Sequence, residues 1–255
     1  MTGKSSPAVS GQPPPPGGYL GLRPVGSYAS LPDDAQAAAE VHRSSWEPRP
    51  GNRRYNHTVP VHLKLRLENP ATRAYDPRWN KYVLERITGN FTGTTDEILQ
   101  WAAAKWGLPD NVLRTVAYME SDWHQGRFGD RVSNPADCPP GFRRPLPCPV
   151  TFGITGTRTT SWPGIFPWNH LSTATSVDAL AGWLRGCYEG WVWWLREHGN
   201  QSHGVYRAGH IWGCVGAWYS GNWLDGSPIV ARTGESYIFR AQYWYGFRPW
   251  LRPGF

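Results

Sequence analysis

Polar and apolar positions change their period several times along this chain, and each change marks an element. Between residues 59 and 67, Val61, Leu63, Leu65 and Leu67 alternate with His62, Lys64 and Arg66, the twofold pattern of a half-buried strand. A second short apolar run over residues 82–87 is its candidate partner. Thr94 and Glu97 then have the spacing of a capping box, after which Ile98, Leu99, Ala102, Ala103 and Trp106 keep helical spacing up to Gly107. Pro109-Asp110 opens the next helix. With Val112 as zero and about 100° per residue, Val112, Leu113, Val116, Ala117 and Met119 share one arc, and Glu120 falls inside it. Beyond a stretch rich in Pro and Gly, Ser176 is placed to cap a third helix with the stripe Leu180, Leu184, Cys187, Trp191 and Leu195, ending at Gly199. Trp183 and Trp193 lie off that stripe and are candidates for a second contact surface. A last helix over residues 235–245 carries Tyr237, Ile238, Ala241 and Tyr245 on one side.

These elements predict a mainly α fold with long loops. The first 55 residues read differently. Pro, Gly and Ser dominate there, with four consecutive prolines from Pro13 to Pro16, and only residues 32–44 have the composition of a short helix. The expected organisation is a disordered tail or linker over residues 1–55, followed by one domain over residues 56–255. No internal repeat is visible.

Sixteen tryptophans and twelve tyrosines exceed what packing requires, because each ring carries a polar tip that needs a partner or a wet surface. A binding cleft is implied, and flat ring faces suit sugars, nucleobases and other aromatics alike. A net charge of +7 favours an anionic partner, but the basic residues are dispersed, which argues against nucleic acid. No apolar run approaches the ~18 residues of a membrane span, and Met1 to Gly18 lacks the apolar core of a secretory signal. Cys138 and Cys148 flank a segment without helix or strand pattern, so a bridge there leaves Cys187 and Cys214 as the second pair. Four cysteines allow three pairings, and free buried thiols are the alternative. Bridges would place the working protein in an oxidising compartment, outside the cell or in its wall.

An acid on the apolar arc of a helix is chemically informative. Burial disfavours the charged carboxylate and the carbonyl end of a helix adds negative potential, so Glu120 is expected to stay protonated near neutral pH. That is the requirement for a general acid; a buried glutamate paired with an arginine is the structural alternative.

Three segments carry a resemblance. Ala102-Ala-Ala-Lys-Trp-Gly-Leu-Pro-Asp with Ala117-Tyr-Met-Glu-Ser-Asp-Trp-His-Gln resembles the catalytic-glutamate helix of soluble lytic transglycosylases and goose-type lysozymes. Thr151-Phe-Gly-Ile-Thr-Gly156 is similar to that family's Ser-x-Gly-x-x-Gln segment, and Val215-Gly-Ala-Trp-Tyr-Ser-Gly221 to its Ala-x-Tyr-Asn-x-Gly segment. All three stand in the family's order, within about residues 94–250. The resemblance implies an α+β lysozyme-like domain and a monomeric enzyme without cofactor. It would cut the β-1,4 bond between N-acetylmuramic acid and N-acetylglucosamine in peptidoglycan, with Glu120 protonating the leaving oxygen. In a lytic transglycosylase the same residue then takes a proton from the sugar's 6-hydroxyl, giving an anhydro product.

Hydrolysis requires a second carboxylate or an activated water, and Asp122, Asp130 and Asp137 are nearest in sequence. Asp122 lies about 200° around the helix from Glu120 and faces elsewhere. Ser121, Gln125, Thr151, Gly153, Trp218, Tyr219 and Trp223 are the expected substrate-binding residues. Ser121 has an equally good structural role in bonding helix-end carbonyls, and core packing is the alternative for each aromatic. Gly156 departs from the family glutamine, which makes a non-catalytic glycan-binding module the rival of a different class unless Gln125 or Arg158 replaces the lost amide. His198, His203, His210 and Cys214 do not have the spacing of a zinc site, so no metal is expected.

Overall fold

The computed structural model describes residues 18–197, 204–223 and 236–255. These form helices α1 (Asp34–Ala39), α2 (Arg53–Asn56), α3 (Trp79–Tyr82), α4 (Thr95–Trp106), α5 (Asp110–Ser121), α6 (Trp168–Leu171), α7 (Thr173–Tyr188), α8 (Ile211–Ser220) and α9 (Tyr237–Phe247). A small antiparallel sheet in the order β1-β2-β3 joins β1 (Phe128–Val132), β2 (Cys148–Phe152) and β3 (Thr157–Arg158). The protein is mainly helical. Helices α4 and α7 form its centre and are wholly buried along their lengths. Trp79, Trp101, Trp106, Trp123, Trp191, Trp223 and Trp250 are fully buried, so packing accounts for much of the tryptophan content.

Helix α4 begins as its capping box predicts: Thr94 accepts the Glu97 amide, and Glu97 accepts the Thr94 amide at 2.8 Å. Helix α7 starts earlier than expected, on Ser172, whose side chain accepts the Thr175 amide. It also ends earlier, at Tyr188 with Gly190 at φ 86° beyond it, so Trp191 and Leu195 reach the core from outside the helix. Gly199 and Glu235 lie outside the described residues, and α9 begins on the cap Ser236.

The predicted strand at residues 59–67 is absent. Val61 is 75% exposed and Leu67 52% exposed, and the backbone bond from Arg66 N–H to Pro163 O at 2.9 Å makes a strap rather than a ladder. Alternation marks a strand only where a neighbour supplies paired backbone groups. The run at 82–87 is likewise no strand, but the end of α3 and a short 3₁₀ turn.

Residues 18–55 are ordered and packed, a correction to the tail reading; residues 1–17 lie outside the described residues. Buried polar side chains from the helices hold this segment's backbone. Asp110 accepts the Gly18 and Tyr19 amides at 3.1 and 3.3 Å. Arg185 donates to the carbonyls of Arg23 and Pro24, and Glu189 accepts the Gly26 amide at 2.8 Å. Arg114, itself buried, neutralises Asp110 and Asp96. A Pro- and Gly-rich segment has few apolar side chains to bury, but its backbone groups are strong ligands for charged side chains already inside the fold.

Both expected disulfides are present. Cys138–Cys148 closes the loop before β2, and Cys187–Cys214 joins α7 to α8. Among the described residues no helix is long and apolar enough to cross a membrane.

Candidate functional site

The last turn of α5 carries Glu120 to the wall of a cleft of about 1060 Å³. The chain then leaves sharply, because Asp122 and Trp123 both take left-handed conformations at φ 53° and 61°. Neither is glycine, and the turn is held from outside. Arg49 donates to the Asp122 carbonyl and carboxylate, both at 2.8 Å, and Asn52 Nδ2 donates to the Trp123 carbonyl at 2.6 Å. Asp122 is thus paired with Arg49 and directed away from the cleft, as its helix angle implies.

Burial pushes the Glu120 carboxyl up from its ordinary 4.5 to about 7; a hydrogen bond from Tyr237 opposes the rise and the Asp130 charge adds to it. The Tyr237 hydroxyl donates to Glu120 Oε1 at 2.5 Å. Burial, with the adjacent carboxyl adding, also raises Tyr237 well above the usual phenol value, so it remains a donor. The Tyr237 ring stacks on Tyr219, centroids 4.3 Å apart and planes 8° apart.

Tyr219, an expected substrate-binding residue, is the ring stacked behind the hydroxyl partner of Glu120. Sequence reasoning placed Tyr237 on the packing stripe of the last helix and missed its role. The signal was available in principle, since a tyrosine on a buried stripe needs somewhere to send its hydroxyl. Tyr237→Phe is expected to move the Glu120 titration to higher pH, since the lost hydrogen bond opposes the rise. Carboxyl carbon NMR shifts followed against pH measure this.

Gly156 faces the same carboxyl. At φ 64°, a Cβ built on it would lie 2.7 Å from Glu120 Oε2. The glycine that stands for the family's glutamine is therefore what lets this backbone close on the acid. Gly153, at φ 83°, is equally constrained: a Cβ there would lie 2.1 Å from Ser176 Oγ and 2.4 Å from the Asn169 carbonyl.

Thr151, Gly153, Trp218 and Tyr219 line the cleft as expected. Trp218 donates its indole N–H to the Thr155 carbonyl at 3.1 Å and meets Trp183 edge-on, so Trp183, off the predicted stripe, does reach this surface. Three expected residues are not brought to the cleft. Ser121 Oγ donates to the Ile154 carbonyl at 2.8 Å. Gln125 is wholly buried, donating to Asn169 O and accepting the Ile154 amide, both at 2.9 Å. Trp223 is buried against Tyr206 and His210. All three hold the loop or helix behind the site, and Gln125 does not replace the missing amide.

Asp130 also lines the cleft, accepting from Thr151 Oγ1 at 2.9 Å and facing Arg158 at 3.5 Å. Asp137 does not line it; it sits in the 3₁₀ turn Pro135–Asp137. His210 Nδ1 accepts the Gly213 amide, capping α8, and Cys214 is in a disulfide. His198 and His203 lie outside the described residues. Among the described residues no group of three His, Cys, Asp or Glu is placed to hold a metal ion.

No protein-family model, curated protein or solved structure matches the chain. The family resemblance therefore rests on the quoted segments, two of which, 151–156 and 215–221, the fold brings to the cleft that Glu120 faces.

Proposed function

We propose that the protein is a peptidoglycan lytic transglycosylase with a lysozyme-like domain, cutting the β-1,4 bond between N-acetylmuramic acid and N-acetylglucosamine. The observation that carries this reading is Glu120: a carboxyl raised to about 7, open to an aromatic-lined cleft and held by a phenol. The cleft volume of about 1060 Å³ is at the top of the usual range for ligand sites, about 300–1,000 Å³, and suits a run of sugar rings. Glu120 donates its proton to the glycosidic oxygen as the C1–O bond breaks. The resulting carboxylate, steadied by Tyr237, takes the proton of the sugar's own 6-hydroxyl, whose oxygen closes on C1. The two disulfides support work in an oxidising compartment, outside the cell or in its wall.

Hydrolysis is the second reading, and Asp130 favours it. Its carboxylate lines the same cleft and acts electrostatically on Glu120, so it is available to activate a water. Mass spectrometry of digested peptidoglycan separates the two. Anhydro-muropeptides are the expected product; reducing-end muropeptides would assign hydrolysis, and wall binding without release would leave a glycan-binding module.

A further inference from the structure

The strap at residues 61–68 brings an acidic residue, Glu68, into the lining of the cleft. Glu68 is fixed at its backbone: its N–H donates to Asn80 Oδ1 at 2.8 Å, and Asn80 Nδ2 donates to its carbonyl at 3.0 Å. Glu68 lines the cleft, as do Tyr75, Trp79 and Trp194. Tyr75 stacks on Trp79, centroids 4.3 Å apart, and Trp194 is anchored next to it by donating its backbone N–H to the Ala74 carbonyl at 3.0 Å. The Glu68 charge reaches the Tyr75 phenol, which burial pushes up to about 12.

Among the described residues no basic nitrogen lies within 4.0 Å of the Glu68 carboxylate, and burial alone raises its pKa. A half-buried carboxylate without a cation among the described residues, sharing a cleft with the rings of Tyr75 and Trp194, is complementary to one kind of group. Both components attract positive charge, and the rings also accept the apolar carbons that carry it.

We infer that the part of the cleft lined by Glu68, Tyr75 and Trp194 is a binding site for a primary ammonium group carried by the substrate. As a feature of substrate recognition this rests on the glycan-cleaving reading of the same cleft. Two parts of a wall polymer present such a group: the side-chain amine of a diamino acid in a stem peptide, and the amine of an N-deacetylated glucosamine.

The test titrates wild type and Glu68→Gln with Nα-acetyl-lysine methylamide and with methyl glucosaminide, each beside its N-acetylated twin, following tryptophan indole N–H resonances. Wild type is expected to bind at least one free amine about tenfold tighter than its neutral twin, and Glu68→Gln to lose that margin. The more strongly preferred amine identifies the source. Equal affinity of amine and twin for wild type overturns the inference, and so does a margin that survives in Glu68→Gln. The wild-type comparison decides alone if the variant folds poorly. A protein that prefers amines but releases no muropeptides loses the glycan-cleaving reading and keeps the ammonium site, no longer as part of a cleaved substrate's recognition. One that cleaves but shows no amine preference loses only this inference.

Discussion

Glu120→Gln is expected to lower kcat/KM on peptidoglycan by about 10²–10⁴-fold while leaving the fold intact. Glutamine keeps the shape of the side chain and can still accept the Tyr237 hydroxyl, but it has no proton to deliver at the pH where the carboxyl, at about 7, is half protonated. The same substitution has an expected signature in stability. A carboxyl whose folded pKa is raised from 4.5 to about 7 contributes fully below pH 4.5, and that contribution is lost as pH rises through 7. Wild type and variant should therefore be equally stable near pH 4. Above pH 7 the variant should be the more stable, by up to about 3 kcal/mol. Chemical denaturation at pH 4, 6 and 8 measures this, and parallel curves at all three would show that the acid is not desolvated as the cleft requires.

Gly156→Gln, which restores the residue type of the family segment, is expected to reduce activity rather than raise it. The Cβ would lie 2.7 Å from Glu120 Oε2, and the backbone at φ 64° disfavours any side chain. Left-handed strain and the contact together should destabilise the fold by about 1–3 kcal/mol. Displacing the acid by even about 1 Å can cost roughly 100-fold in rate. Gly156→Ala isolates the contact from the amide and should lose activity to a similar degree. A Gly156→Gln protein as active as wild type would refute the close approach and return the glutamine to its family role.

Much of the helical frame was legible because its signals are local. The Thr94 to Glu97 capping box, the arc of Val112, Leu113, Val116 and Ala117, and the inward angle of Glu120 depend only on spacing along one helix. The strand at 59–67 failed because its pattern required a partner that pattern cannot supply, and Leu63 and Leu65 pack against the core without a ladder. The tail reading failed for a related reason. Proline and glycine content speaks about apolar burial, whereas residues 18–26 are held through their backbone by Asp110, Arg185 and Glu189, far along the chain.

For the site, sequence alone placed Glu120 on the inward arc of its helix and gave the expectation that it stays protonated, both properties of one short run, while residues 151–156 and 215–221 stood out only through their resemblance to a family. Sequence determined neither the hydroxyl at the acid nor the meaning of Gly156. Tyr237 lies 117 positions from Glu120, and Gly156 looks like a lost side chain until the carboxyl is seen crowding the place of a Cβ there. Tertiary structure decided both, because a hydrogen bond and a steric limit are set by distances between segments, and spacing within one segment carries no information about them.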